Sequence, residues 1–247
     1  MRNVLANSRN LEVDRYTIET HLADLMEAPL AGRRGPVWDA MRYAVLGGGQ
    51  RVRPLLAMRI ARALRAESHL TVRAAAAVEL LHCASLIIDD LPCMDDETQR
   101  RGRPATHIAY GEAVAVLAAF GLVALAARSV VEQPCAVEDL ARLVRFQEYL
   151  LATLDCDGLI AGQAMDLGVA GERDREMIAQ MKTVPLFELA ARAGTLEAHP
   201  SLEPVAIDFA RAYGAAFQLV DDYLDNEPVS IDEVQTALKE LDRRYGY

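Results

Sequence analysis

Apolar residues fall at helical spacing along nearly the whole chain, and prolines and glycines cut them into segments. Leu11, Ile18, Leu22 and Leu25 predict a helix over residues 11–27, ended by Pro29 and Gly32. Pro36 suits the first position of a second helix over 37–46, which stops at Gly47-Gly48-Gly49. A third opens in Gln50-Arg51-Val52-Arg53-Pro54 and runs through Leu64. Val78, Leu81, Ser85 and Ile88 share one face of a fourth, which ends near Leu91 because Pro92 cannot continue it. Gly111 starts a long apolar helix that Gln133-Pro134 closes. Further helices are predicted over 137–154, 157–167, 172–194 (kinked at Pro185) and 200–226. Ser230 and Glu233 then form a capping box for a last helix ending near Tyr245. No segment alternates with period two, and no low-complexity linker divides the chain. The pattern predicts an all-α fold, a single domain over residues 1–247 made of about ten helices.

Charged positions carry a second pattern. Asp89, Asp90, Asp95 and Asp96 crowd the end of the fourth helix, with Arg100, Arg101 and Arg103 just beyond. His82 lies two turns before Asp89 on the same stripe. Close carboxylates repel by roughly 1–4 kcal/mol per pair, depending on the effective dielectric. An i,i+4 salt bridge returns only about 0.3–0.5 kcal/mol, so such a cluster asks for a counter-ion. Oxygen ligands alone suit Mg²⁺, which keeps several waters and shares its shell with phosphates. A lone Asp-Asp pair reads better as a solvated helix end. Here the arrangement recurs: Gln218, Asp221, Asp222 and Asp225 stand at i, i+3, i+4 and i+7 of a later helix. Two acid banks on separate helices suggest the walls of one cavity, with Arg51, Arg53, Arg100, Arg101 and Lys182 supplying cations for phosphate oxygens. The glycine turn at 47–49 reads equally as an anion site or as a helix cap followed by surface arginines.

Composition narrows the function class. Hydrophobic residues make up 52% and aromatics 6%, a mix that favours close-packed helices. The formal net charge of −10 argues against a nucleic-acid partner. The cysteines at 83, 93, 135 and 156 have no CxxC spacing and read as reduced thiols, which predicts a cytoplasmic protein without a signal peptide. The apolar run over 113–127 is shorter than the roughly 20 residues a bilayer span needs, so it reads as a buried core helix, not a transmembrane segment.

With these residues in view, the chain resembles the trans-isoprenyl diphosphate synthases over most of its length. That family's first aspartate-rich motif, DDxxxxD, matches Asp89-Asp90 to Asp95, and its RRG matches Arg100-Arg101-Gly102. The second motif, DDxxD, matches Asp221-Asp222 to Asp225, preceded by Phe217-Gln218. GQxxD matches Gly162 to Asp166, and KT matches Lys182-Thr183. Five short motifs in the right order are specific where each alone is weak.

The resemblance implies an isoprenoid synthase-like bundle around a central cavity, working as a homodimer. It implies three Mg²⁺ ions held by Asp89, Asp95, Asp166, Asp221 and Asp225, with Asp90 and Asp222 assisting. Arg100 and Lys182 would hold an allylic diphosphate and Arg53, His82 and Arg101 the diphosphate of isopentenyl diphosphate, with Arg51, Thr183 and Gln218 also expected to bind substrate. The product length would be set before the first motif, where Ala84 and Ser85 are small and carry no aromatic plug. This points to geranylgeranyl diphosphate, with a farnesyl product as the alternative. Departures from the family pattern are Gln50 for its usual lysine, Phe120 for a frequent aspartate, and Asn226-Glu227-Pro228 in place of its GKxxGKD run. They predict weakened isopentenyl diphosphate binding. They also keep two other readings open, a class I terpene cyclase and a regulatory or heteromeric subunit on the same fold.

Overall fold

The computed structural model describes residues 2–27, 35–131, 137–169, 175–224 and 229–245. Eleven α-helices span these described residues: α1 (Arg2–Glu27), α2 (Pro36–Leu46), α3 (Val52–Ala63), α4 (His69–Asp89), α5 (Thr106–Tyr110), α6 (Glu112–Val131), α7 (Val137–Leu154), α8 (Leu159–Asp166), α9 (Arg175–Gly194), α10 (Glu203–Leu224) and α11 (Ile231–Tyr245). A 3₁₀ turn, Pro200–Leu202, leads into α10. The all-α expectation holds, apart from one antiparallel hairpin of two-residue strands, β1 (Gln99–Arg100) and β2 (Arg103–Pro104). Its turn residues, Arg101 and Gly102, both have positive φ, as a tight two-residue hairpin loop requires.

Helix α4 is the central pillar. Ser68 caps it by accepting from the amides of Leu70 and Thr71 at 3.1 and 3.2 Å. Ala74 to Ala77 are fully buried, and small side chains there let α6 approach through Ala115, Ala118 and Ala126. Ile18, Leu22 and Met26 of α1 and Phe187, Leu189 and Ala190 of α9 close the same hydrophobic core. Pro185 sits inside α9, which runs through it without a break. Proline cannot donate to the Met181 carbonyl one turn earlier, and α8 packs at this point. A Cβ on Gly162 would lie 2.9 Å from the Met181 carbonyl carbon, so only glycine lets the two helices meet there.

Helix α6 departs from the buried core helix predicted for it. It extends to 20 residues, and less than half of its most apolar stretch is buried. Leu117, Phe120 and Val131 are exposed along one stripe, beside exposed Leu140, Val144 and Leu151 on neighbouring α7. By length and composition alone, α4 and α6 could each cross a membrane, but most of the α4 stretch is buried in the bundle.

Candidate active site

The first acid bank ends α4 and continues into the loop that Pro92 forces. Asp95 turns back under Asp89, its amide donating to the Asp89 carbonyl at 2.9 Å. The Asp89 carboxyl is pushed up to about 6, mainly by burial, although Lys182 opposes the rise; Asp95 and Asp90 add to it. Lys182 projects from α9 into this bank, donating to Asp166 at 2.6 Å and lying 3.8 Å from Asp95. Burial lowers the Lys182 pKa, but the Asp166 hydrogen bond and the charges of Asp89 and Asp95 more than offset it, so the ammonium is kept. Gln163 donates to Asp95 at 3.3 Å, while its own carbonyl oxygen is buried without a partner.

The second bank stands beyond the next residue of α9. Thr183 donates to the Gln218 carbonyl oxygen at 2.5 Å, and the Gln218 amide donates to Asp222 at 2.6 Å. Asp222 is therefore held by its own helix, whereas Asp221 is exposed and acts on Arg53 through its charge. Lys182 and Thr183 thus tie both banks to one turn of α9. Asp225 lies outside the described residues.

Arg53 and His82 meet between the banks, Nη1 to Nε2 at 3.2 Å, with the guanidinium 4.9 Å from the Phe187 ring centroid. Burial pulls the Arg53 pKa down to about 10, which leaves it charged at neutral pH. His82 is driven well below its usual range by burial and then by the nearby arginines, so it is the neutral imidazole. Arg53 Nε and His82 Nδ1 are buried without partners, a combination suited to an incoming anion.

Three of the expected site residues have other duties. Arg51 is buried, donating to Glu19 at 2.8 Å, to Glu79 at 2.7 Å and to the Val45 carbonyl at 2.6 Å. This corrects the expectation that it reaches a diphosphate, because its donors are already used inside the fold. Asp90 is buried beneath the hairpin and bound by Arg100, through Nε at 2.8 Å and also through Nη2. It positions Arg100 and does not face the cavity mouth. Arg101 is pinned to the glycine turn: it donates to the Gly48 carbonyl and lies 3.7 Å from Glu79. Gly49, at φ 128°, would place a Cβ 2.7 Å from that guanidinium, so both conformation and proximity demand glycine. Glu19 and Glu79 are the supporting residues that sequence reasoning missed. Neither left a local signal, whereas Gln163 was marked by the Gly162–Asp166 motif.

From Asp89, Gln163 and Lys182 an apolar cavity of about 330 Å³ runs inward. Ala84, Ser85 and Ile88 line its α4 side, Ala119, Phe120 and Val123 its α6 side, and Leu154, Leu159 and Ile160 complete the wall from α7 and α8. Charge at the mouth and hydrocarbon behind it match a ligand with an anionic head and an apolar tail.

This geometry defines a class of helical proteins built to hold an amphipathic anion. Within it, the chain belongs to the polyprenyl synthetase family, whose model matches residues 36–231. It is 40% identical over 214 residues to geranylgeranyl pyrophosphate synthase 4 of Arabidopsis thaliana, covering 83% of this chain and 56% of that one. It is 36% identical to the mitochondrial geranylgeranyl pyrophosphate synthase 6 of the same plant, covering 86% and 69%. The chain thus spans little more than half of the first of these relatives. Among solved structures it matches a geranyltransferase from Legionella pneumophila with a TM-score of 0.85 at 27% identity, covering 99% of this chain and 93% of that one. An FPP/GFPP synthase from Zymomonas mobilis matches with a TM-score of 0.82 at 28% identity, covering 97% and 91%.

Proposed function

We propose that the chain is a short-chain prenyltransferase that joins isopentenyl diphosphate to an allylic diphosphate, with geranylgeranyl diphosphate as its main product. The observation that carries this reading is the acid-and-lysine mouth on a mainly apolar cavity, together with the buried Arg53–His82 pair and its unpartnered nitrogens. The relatives' names agree with it.

The acid banks fit Mg²⁺. Their donors are all oxygens, burial and the neighbouring Asp95 and Asp90 make the charge on Asp89 costly, and the Gln163 oxygen is unpaired. Among the described residues no three acid, histidine or cysteine side chains converge, so much of each ion's shell would come from water and diphosphate. Asp89, Asp95 and Asp221 are the residues that would hold the ions, assisted by Asp166. Bound there, the ions stabilise charge on the departing diphosphate. Lys182 and Arg100 are prepositioned donors for the same group, each fixed by a carboxylate partner. Arg53 and His82 orient the second diphosphate. The apolar walls keep water from the allylic centre while the new bond forms.

The test is incubation with Mg²⁺, isopentenyl diphosphate and C5, C10 or C15 allylic diphosphates, followed by sizing of the products. Elongation to C20 is expected. Loss of the allylic diphosphate with isopentenyl diphosphate untouched would instead identify a cyclase, and inactivity unless a second, active synthase is added would identify a regulatory subunit.

We also assign the exposed stripe of Leu117, Leu140, Val144 and Leu151 to a homodimer interface. Sedimentation is expected to give twice the mass of this chain, and Leu117→Asp to halve it. A wild-type monomer at micromolar concentration would refute the assignment.

A further inference from the structure

The cavity's depth depends on what stops a chain inside it. On the α4 side, Ala84 and Ser85 are small, and Ala84 is itself buried in the core, so nothing there blocks the way. Across from them stands Phe120, the one aromatic ring among the described residues that line the cavity. Phe120 is 68% exposed and Ile160 is 50% exposed, so both are cavity wall and outer surface at once. Leu154 and Ile160 also line an open groove on the outside of α7, together with Leu151. Leu154 and Ile160 are thus shared between the interior cavity and that groove.

We propose that Phe120 sets the upper limit on the prenyl chain that the cavity accepts. This deepens the prenyl-diphosphate reading above and rests on it. A chain anchored at the acid mouth passes the small α4 residues and meets the ring. Because the ring is both cavity wall and outer surface, removing it opens that wall and lets a longer chain through. The ring is not locked in the core, so shortening it costs little stability. It acts as the same stop with solvent or a second copy behind it.

The test is calorimetric binding, in Mg²⁺ buffer, of farnesyl (C15), geranylgeranyl (C20) and geranylfarnesyl (C25) diphosphates. Wild type, Phe120→Ala, Phe120→Leu and Ala84→Phe are compared, with thermal midpoints and sedimentation checked against wild type. Wild type is expected to lose about tenfold or more in affinity from C20 to C25, the scale of a steric misfit in an apolar pocket. Phe120→Ala should bring C25 back near the C20 affinity, Phe120→Leu should lie between, and Ala84→Phe should move the loss down to C20. A loss at the same length in wild type and Phe120→Ala would overturn the proposal, as would a wild type indifferent to length or binding none of the three. A length limit that shifts with residue 120 in a protein that never consumes isopentenyl diphosphate would sink the elongation reading and leave the gate standing.

Discussion

Asp89→Asn and Asp221→Asn are each expected to lower kcat by about a thousandfold, ~4 kcal/mol of transition-state stabilisation. Asparagine keeps the shape of each side chain and removes only its charge, so the loss reports on cation holding. For Asp89 the stability effect should run the other way. Its folded pKa, raised to about 6 chiefly by burial, lies above the unfolded value of 3.8. The stability this group contributes is therefore complete below the unfolded value and is lost as pH rises through about 6. At neutral pH the ionised carboxylate burdens the fold, and asparagine relieves it. Steady-state kinetics paired with melting curves at pH 7.5 should give a dead variant that melts no lower than wild type. A dead variant that also melts far lower would place Asp89 in the scaffold instead.

Arg51→Ala is expected to destabilise the protein by about 3–5 kcal/mol, the cost of breaking a buried ion pair from one side. Its side chain is fully enclosed, and its partner Glu79 is 1% exposed. Burial works against the charge, but the hydrogen bonds to Glu19 and Glu79 hold the guanidinium above its usual range. Without it, the Glu79 carboxylate loses its 2.7 Å partner and is left with Arg101 at 3.7 Å and the charge of Arg53. At a few degrees per kcal/mol for a chain of this size, the thermal midpoint should fall by about 10 °C. Arg51→Met combined with Glu79→Leu should recover most of that fall, because it removes both charges together. Assayed below its melting range, Arg51→Ala should keep the wild-type KM for isopentenyl diphosphate. A raised KM with an unchanged midpoint would restore Arg51 to the substrate.

The contrast between Arg51 and Arg53 marks where sequence reasoning stops. Both sit in one basic run after a glycine turn, and nothing in their spacing separates them. Their fates are fixed by residues far along the chain: Glu19 on α1 and Glu79 on α4 claim Arg51, while His82 and Phe187 flank Arg53. Local signals were legible wherever local chemistry decides. Helix α7 follows its apolar spacing from Val137 to Leu154, and the Ser230–Glu233 box closes with reciprocal hydrogen bonds at 2.7 and 3.2 Å. The hairpin at 99–104 and the short α5 were illegible because two-residue strands and a single helical turn carry no periodicity. The outward turn of Phe120 was hidden because α6 is apolar on every side, so composition could not say which stripe faces out.

The claim on which the rest depends is that both acid banks hold one diphosphate through shared cations. Calorimetric titration of inorganic diphosphate into the protein, with and without Mg²⁺, tests it directly. The account predicts saturable binding only when Mg²⁺ is present, lost in Asp89→Asn and equally in Asp221→Asn. Binding of the same strength without Mg²⁺, or binding that survives Asp221→Asn intact, would contradict it.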